Sequence, residues 1–266
     1  MKKILFIGAG NMASAIANGL SKASLVNDND IILFDKNIEQ YSKFAGKFSI
    51  ANTLSEGINI ADYVFLSVKP QNVKEVLSEI KIDISKKVFI SICAGITMES
   101  IEGHFEKVKL VRAMPNTPLL IGQGVTALCK NENISDEEFD FVKSIFSSCG
   151  IITEIAEKDI NALTAITSSS PAYIYLFIKS IYEGAKALGF NYENTVELIC
   201  NTLIGSANMV LSSNKTLDEQ IQMVKTPNGT TERALNVLEN NEFERIISDA
   251  MKACEKRAFE LAELNK

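Results

Sequence analysis

Two short runs in this chain have the residue types and spacing to hold anions. Thr226-Pro227-Asn228-Gly229-Thr230-Thr231 leads straight into Glu232 to Glu239, where Ala234, Leu235 and Leu238 repeat at helical spacing. The first N–H groups of a helix lack internal partners and lie at the positive end of its dipole. A small turn opening a helix therefore binds a carboxylate or phosphate. The second run, Ile7-Gly8-Ala9-Gly10-Asn11-Met12-Ala13, leaves an apolar strand and enters a helix. There Gly8 suits a tight turn, Gly10 lets a diphosphate approach the backbone, and Ala13 lets helix and strand pack closely. Asp35 lies 25 positions beyond Gly10 at the end of the next strand, where a carboxylate accepts hydrogen bonds from a ribose. The combination predicts a dinucleotide site, for NADPH or NADH. Asp35 tilts the choice toward NADH, because a carboxylate repels a 2′-phosphate, and Lys36 offsets part of that repulsion.

Three further loops are predicted to converge on the same rim, the carboxyl edge where open α/β sheets bind ligands. In Ser67-Val68-Lys69-Pro70 the proline stops a strand and Lys69 can reach a ribose or phosphate. Cys93-Ala94-Gly95 is small enough for a nicotinamide ring to lie against the backbone. Arg112-Ala113-Met114-Pro115-Asn116-Thr117-Pro118 is stiffened by two prolines and brings Asn116 to that edge. His104 is the single histidine, lies outside every motif, and is expected on the surface. No triad, metal cluster or histidine base can be built from it. Oxidation of an alcohol needs a base, whereas a basic imine arrives already protonated and needs hydride, orientation and one hydrogen-bond partner. The hydroxyls of Thr230 and Thr231 suit that task.

The elements that must position these residues follow from periodicity. Strands are predicted at Lys3 to Ile7, Ile31 to Phe34, Tyr63 to Val68, Val88 to Ile92, Lys109 to Ala113, Val125 to Leu128 and Ile151 to Ile155. Between the early ones, Met12 to Leu20, Ile38 to Phe44 and Val73 to Ile80 carry helical spacing. Beyond Glu157 the pattern is helical only, at Ala172 to Leu188, Tyr192 to Leu211, Leu217 to Val224, Thr231 to Glu239 and Phe243 to Leu264. The expected fold class is α/β, an N-terminal Rossmann-type, mainly parallel sheet (1–158) followed by an all-α C-terminal domain (159–266).

A length of 266 residues and 46% hydrophobic content allow a full core. Five widely spaced cysteines without a C-x-x-C pair point to neither disulfides nor a metal site, and to a reducing cytoplasm. The apolar run after Met1-Lys2-Lys3 is too short for an export signal. A net charge of −6 without a basic stripe excludes a nucleic-acid surface. The apolar run Ile174 to Ile178 is cut by Thr167 to Ser170 and by Lys179 below the ~20 residues a membrane span needs. It reads as a helix buried at a domain or subunit interface.

The chain resembles the pyrroline-5-carboxylate reductases along essentially its whole length. The likeness rests on Phe6 to Met12, Val68-Lys69-Pro70, Arg112 to Pro118, Ser169-Ser170-Pro171-Ala172-Tyr173 and Pro227 to Thr231. It implies reduction of 1-pyrroline-5-carboxylate to L-proline by NAD(P)H, the last step of proline synthesis. It also implies a homodimer through the helical domain, often built further into decamers. By the same likeness Gly229 and Thr230 hold the substrate carboxylate within the turn that starts at Thr226, and Thr231 is the catalytic donor to the imine nitrogen. Three departures stand out: the family usually has glycine at Asn228 and at Ser168, and many relatives have small or basic residues at Asp35. Asparagine tolerates the left-handed backbone that such a turn needs. A β-hydroxyacid dehydrogenase would share the two-part layout, but Thr167 to Lys179 lacks the glycine that delivers that family's lysine base. A non-catalytic NAD(P)H sensor would leave the second anion turn unexplained.

Overall fold

Strand β1 (Ile4–Ile7) is fully buried and its residues alternate between two apolar layers. Ile4 and Phe6 pack with Ile16, Leu20, Phe65 and Phe146, whereas Leu5 and Ile7 pack with Leu54, Ile58, Leu77 and Phe89. A strand covered on both faces reads as a continuous apolar run, as seen here. The rings of Phe6 and Phe65 stack at 4.6 Å between centroids. Burying each such side chain contributes about 1.5–3 kcal/mol.

The computed structural model describes residues 2–44 and 46–264. Among them, β1, β2 (Ile31–Phe34), β3 (Ser49–Ile50), β4 (Tyr63–Leu66), β5 (Val88–Ser91), β6 (Lys109–Pro115), β7 (Gly124–Lys130) and β8 (Gly150–Glu154) form one sheet. The order is β3-β2-β1-β4-β5-β6-β7-β8, and every pairing is parallel except β6 with β7. The order reverses at β1, so the crevice between the ends of β1 and β4 is the topological switch point, where such sheets bind ligands.

Helices α1 (Asn11–Lys22), α2 (Leu54–Ile60), α3 (Val73–Glu79), α4 (Met98–Glu102) and α5 (Asp136–Ser147) connect the strands. The expected parallel α/β sheet is present, with differences in detail. Helix α5 lies outside the expected elements, although Ser135 and Glu138 form a capping box ahead of buried Phe139, Val142, Ile145 and Phe146. Helix α4 is five residues long, too short for periodicity to register, and α2 carries Gly57 in its interior, which weakens a helical signal. Ile38–Phe44 is 3₁₀ rather than α. The Asn37 side chain accepts from Glu39 N–H and Ser42 Oγ donates to Glu39 O, local bonds that favour the tighter turn.

The chain forms two compact units, Met1–Ser169 with Cys254–Lys266, and Ser170–Ala253. The sheet stops at Glu154, and α6 (Ile160–Leu163) with a wide π turn at Thr164–Ser168 belongs to the first unit. The division by contacts therefore falls after Ser169, whereas the change of residue pattern falls near 158. The second unit holds α7 (Ser170–Ala187), α8 (Thr195–Leu211), α9 (Leu217–Val224), α10 (Thr230–Asn240) and most of α11 (Phe243–Leu264). It leaves Ile174, Leu176, Leu198, Ile204, Met209 and Ile221 exposed. No helix among the described residues is long and apolar enough to cross a membrane.

Candidate active site

The switch-point crevice is a cleft of about 330 Å³ lined by Ile7, Gly8 and Gly10 from the glycine turn, Asp35 and Lys36 from the end of β2, and Ser67, Val68 and Lys69 from the end of β4. The two glycines do different work. Gly8 has φ +97, and a Cβ there would stand 2.7 Å from Ser67 O, so only glycine closes this turn. Gly10 has an ordinary backbone, and a Cβ there would meet nothing within 4 Å. Its space is open cleft at the start of α1, and no side chain caps that helix. An uncapped helix start beside an empty glycine face is what a dinucleotide diphosphate requires, so the residues fit that group.

Asp35 is aimed at the turn. One carboxylate oxygen accepts from Ala9 N–H at 2.8 Å and the other from Asn37 N–H at 2.8 Å. Each oxygen keeps a further lone pair for a ribose hydroxyl. Ser67 Oγ lies 2.9 Å from Ile7 O and 2.8 Å from Gly8 O, so this hydroxyl ties β4 to the glycine turn. Asn11 and Met12 open α1, with Asn11 Oδ1 3.4 Å from Lys43 Nζ. Pro70 turns to a neighbouring cleft that it shares with Lys74 and His104, and His104 is exposed with Nδ1 3.0 Å from Ser100 O.

Cys93, Ala94, Gly95 and Asn116 do not line this cleft. Cys93 is buried beneath the end of β4, its thiol donating to Leu66 O and Val68 O. Burial pushes its pKa up to about 12, so the thiol stays protonated. Ala94 is exposed, and Gly95 takes φ +71. The buried Asn116 amide bridges two segments, donating to Thr167 O at 3.0 Å and accepting from Val125 N–H at 2.8 Å. It thereby holds the π turn in which Ser168 Oγ is buried without a partner.

Several cleft residues escaped the motifs. Phe34, Asn37, Gln40, Asn72, Glu75 and Val76 complete the lining. Tyr41 Oη accepts from Asp35 N–H at 2.6 Å and donates to Asp35 O at 2.9 Å, fixing the backbone that presents the carboxylate. Lys36 Nζ lies 2.7 Å from both Glu75 and Glu79. These hydrogen bonds, Glu75 first, raise its pKa above the ordinary lysine value. The sequence signal is Glu75 and Glu79 at i,i+4 on α3, but nothing local ties that face to a lysine on another loop.

The second predicted anion site lies at the start of α10. Gly229 is its N-cap residue and no side chain caps it. Asn228 adopts φ +59, the left-handed backbone expected of it, and its N–H donates to Glu232 Oε2 at 2.8 Å. The turn closes through Gly229 N–H to Thr226 O at 2.9 Å. A Cβ at Gly229 would stand within bonding range of Thr226 Oγ1, so the two residues are packed face to face. Thr230 and Thr231 follow with hydroxyls that have no hydrogen-bond partner among the described residues. An acid group docked on these amides would have both hydroxyls beside it.

Residues 157–261 match a family model described as pyrroline-5-carboxylate reductase dimerisation, and residues 3–95 match one described as NADP oxidoreductase coenzyme F420-dependent. The pyrroline-5-carboxylate reductase of Pseudomonas aeruginosa is 36% identical, the match covering 98% of this chain and 97% of that protein. That of Escherichia coli is 34% identical over 98% of this chain and 99% of its own. A crystal structure of Plasmodium falciparum pyrroline carboxylate reductase with NADP bound superposes with a TM-score of 0.92 at 32% identity, covering 98% of both chains.

Proposed function

The chain belongs to the pyrroline-5-carboxylate reductase family, and from that membership together with its two uncapped helix starts we propose that it reduces 1-pyrroline-5-carboxylate to L-proline with NAD(P)H. The observation that carries the reading is the start of α10, where a left-handed Asn228 and the N-cap Gly229 leave the first amides open beside two free threonine hydroxyls. The first domain, 1–158, holds the cofactor through Ile7 to Met12, Asp35 and Ser67 to Lys69. The helical domain, 159–266, holds the substrate through Thr226 and Gly229 to Thr231.

The reduced nicotinamide, when bound, supplies a hydride to the carbon of the C=N bond. The chain's part is orientation and charge. The open amides at Thr230 and Thr231, presented by the Gly229 turn, and the Thr230 hydroxyl grip the carboxylate, fixing which ring carbon is presented. The Thr231 hydroxyl holds the ring nitrogen, donating to the neutral imine and accepting once the nitrogen carries a proton. As the C–H bond forms, the C=N π pair becomes the nitrogen lone pair, so no base on the protein is required. This agrees with a site that holds no histidine.

The exposed apolar residues of α7 to α9 support a homodimer through the helical domain, and the decamer is a further step of the same assembly. Five free cysteines support a cytoplasmic setting. The test of the carboxylate grip is turnover of 1-pyrroline, the same ring without its acid group. Losing two charge-assisted hydrogen bonds, each ~1.5–3 kcal/mol, lowers kcat/KM at least ~100-fold. Equal turnover of the two imines would count against the role given to α10.

A further inference from the structure

At the ribose end of the cleft two carboxylates hold one ammonium, and a third carboxylate precedes it in the chain. Asp35 ends β2 and points back to Ala9, and Lys36 follows it. Lys36 swings to α3, where its Nζ meets Glu75 Oε1 and Glu79 Oε1 at 2.7 Å each. The two glutamates lie one helical turn apart on one face, so both reach the same ammonium. Formal charge over Asp35, Lys36, Glu75 and Glu79 is −3 + 1 = −2. Two other cations lie nearby. Lys43 sits across the glycine turn, 3.4 Å from Ala9 O and Asn11 Oδ1, and Lys69 lines the β4 side. Neither stands on the loop that follows Asp35.

A 2′-hydroxyl is neutral, whereas a 2′-phosphate brings a charge of about −1.5 to −2 and needs a free cation. We propose that Glu75 and Glu79 are specificity-determining residues. By holding Lys36 they deny a 2′-phosphate its counter-charge, so the cleft selects NADH over NADPH. The proposal rests on the assignment of this cleft as the dinucleotide site and adds to it the means of choosing between the two dinucleotides. The side chains of Lys36, Glu75 and Glu79 are 54%, 63% and 42% exposed, so the pairs contribute little to folding and can be removed safely.

The experiment compares kcat/KM for NADH and NADPH, at fixed ionic strength, in the unmodified protein, E75Q, E79Q, the double variant, and the double variant carrying K36M. The unmodified protein is expected to prefer NADH. The double variant raises the NADPH-to-NADH ratio at least about tenfold, the size of one charge-assisted hydrogen bond, with each single variant in between. Adding K36M removes the gain. A ratio that moves less than twofold, a gain that survives K36M, or an unmodified protein that prefers NADPH would overturn the proposal. Binding of neither dinucleotide would overturn the cleft assignment itself, and this proposal with it.

Discussion

Replacing Gly10 by alanine separates binding from folding at the glycine turn. The backbone there is ordinary, with φ −72, and the added methyl meets no protein atom within 4 Å. Restricting the unfolded chain stabilises by ~0.4–1 kcal/mol, while the poorer N-cap residue costs a similar ~0.5–1 kcal/mol. The two nearly cancel, so the melting temperature moves by no more than ~2–4 °C. The methyl does occupy the open space that a diphosphate would use, and loss of one N–H bond to a charged oxygen costs ~1.5–3 kcal/mol, or roughly 10- to 150-fold in Kd. Gly8→Ala is the contrast, because φ is +97 and the new Cβ would stand 2.7 Å from Ser67 O. Left-handed strain of ~1–2 kcal/mol and overpacking of ~1–3 kcal/mol sum to ~2–5 kcal/mol, a fall of roughly 4–20 °C. Fluorescence titration with NADH beside thermal melts reads both quantities. An NADH affinity in Gly10→Ala within twofold of the unmodified protein would refute the placement of the diphosphate.

Other consequences are equally open to measurement. Thr231→Ala should lower kcat about 10- to 100-fold with NADH affinity unchanged, while Thr231→Ser retains most activity, since only the hydroxyl is needed. An alanine variant with full turnover removes Thr231 from the chemistry. Burial pushes the Cys93 thiol to about 12 and the Cys129 thiol to about 11, so neither should be alkylated by iodoacetamide at neutral pH in the folded protein. Peptide mapping that finds Cys93 modified within minutes contradicts the packing described. Glu138 is raised by burial, but the hydrogen bonds from Lys109 and Ser135 outweigh this and hold it below its ordinary value. A depressed carboxylate stabilises fully above its unfolded pKa of about 4.3 and loses that contribution as pH falls through the folded value. Glu138→Gln should therefore flatten the decline in melting temperature below about pH 4–5. An unchanged acid limb tells against the pair.

What the sequence disclosed followed how local the physics is. Gly8, Gly10 and the strand before them act within one turn, so their spacing announced the cleft. Asn228 and Gly229 did the same for α10. Asp35 was placed by its position at a strand end, which the sheet fixes. By contrast, Lys36 finds its partners 39 and 43 positions away, and Tyr41 reaches Asp35 from a segment whose helical spacing concealed a 3₁₀ turn. Asn116 was expected at the cofactor rim from its place in a proline-rich loop, yet its amide spans 51 residues to Thr167. Helix α5 is legible only in part: Ser135 and Glu138 mark its start locally, while its acidic first turn, Asp136 to Glu138, precedes the apolar face of Phe139, Val142, Ile145 and Phe146.

Hydride transfer to the C=N carbon of an imine gripped by its acid group is tested most directly by mixing the unmodified protein with NADH and 1-pyrroline-5-carboxylate, and measuring cofactor oxidised against proline formed. Catalytic turnover with one proline for each NADH consumed is the expected result. Tight NADH binding with no oxidation on adding the imine, and none with NADPH, would contradict it.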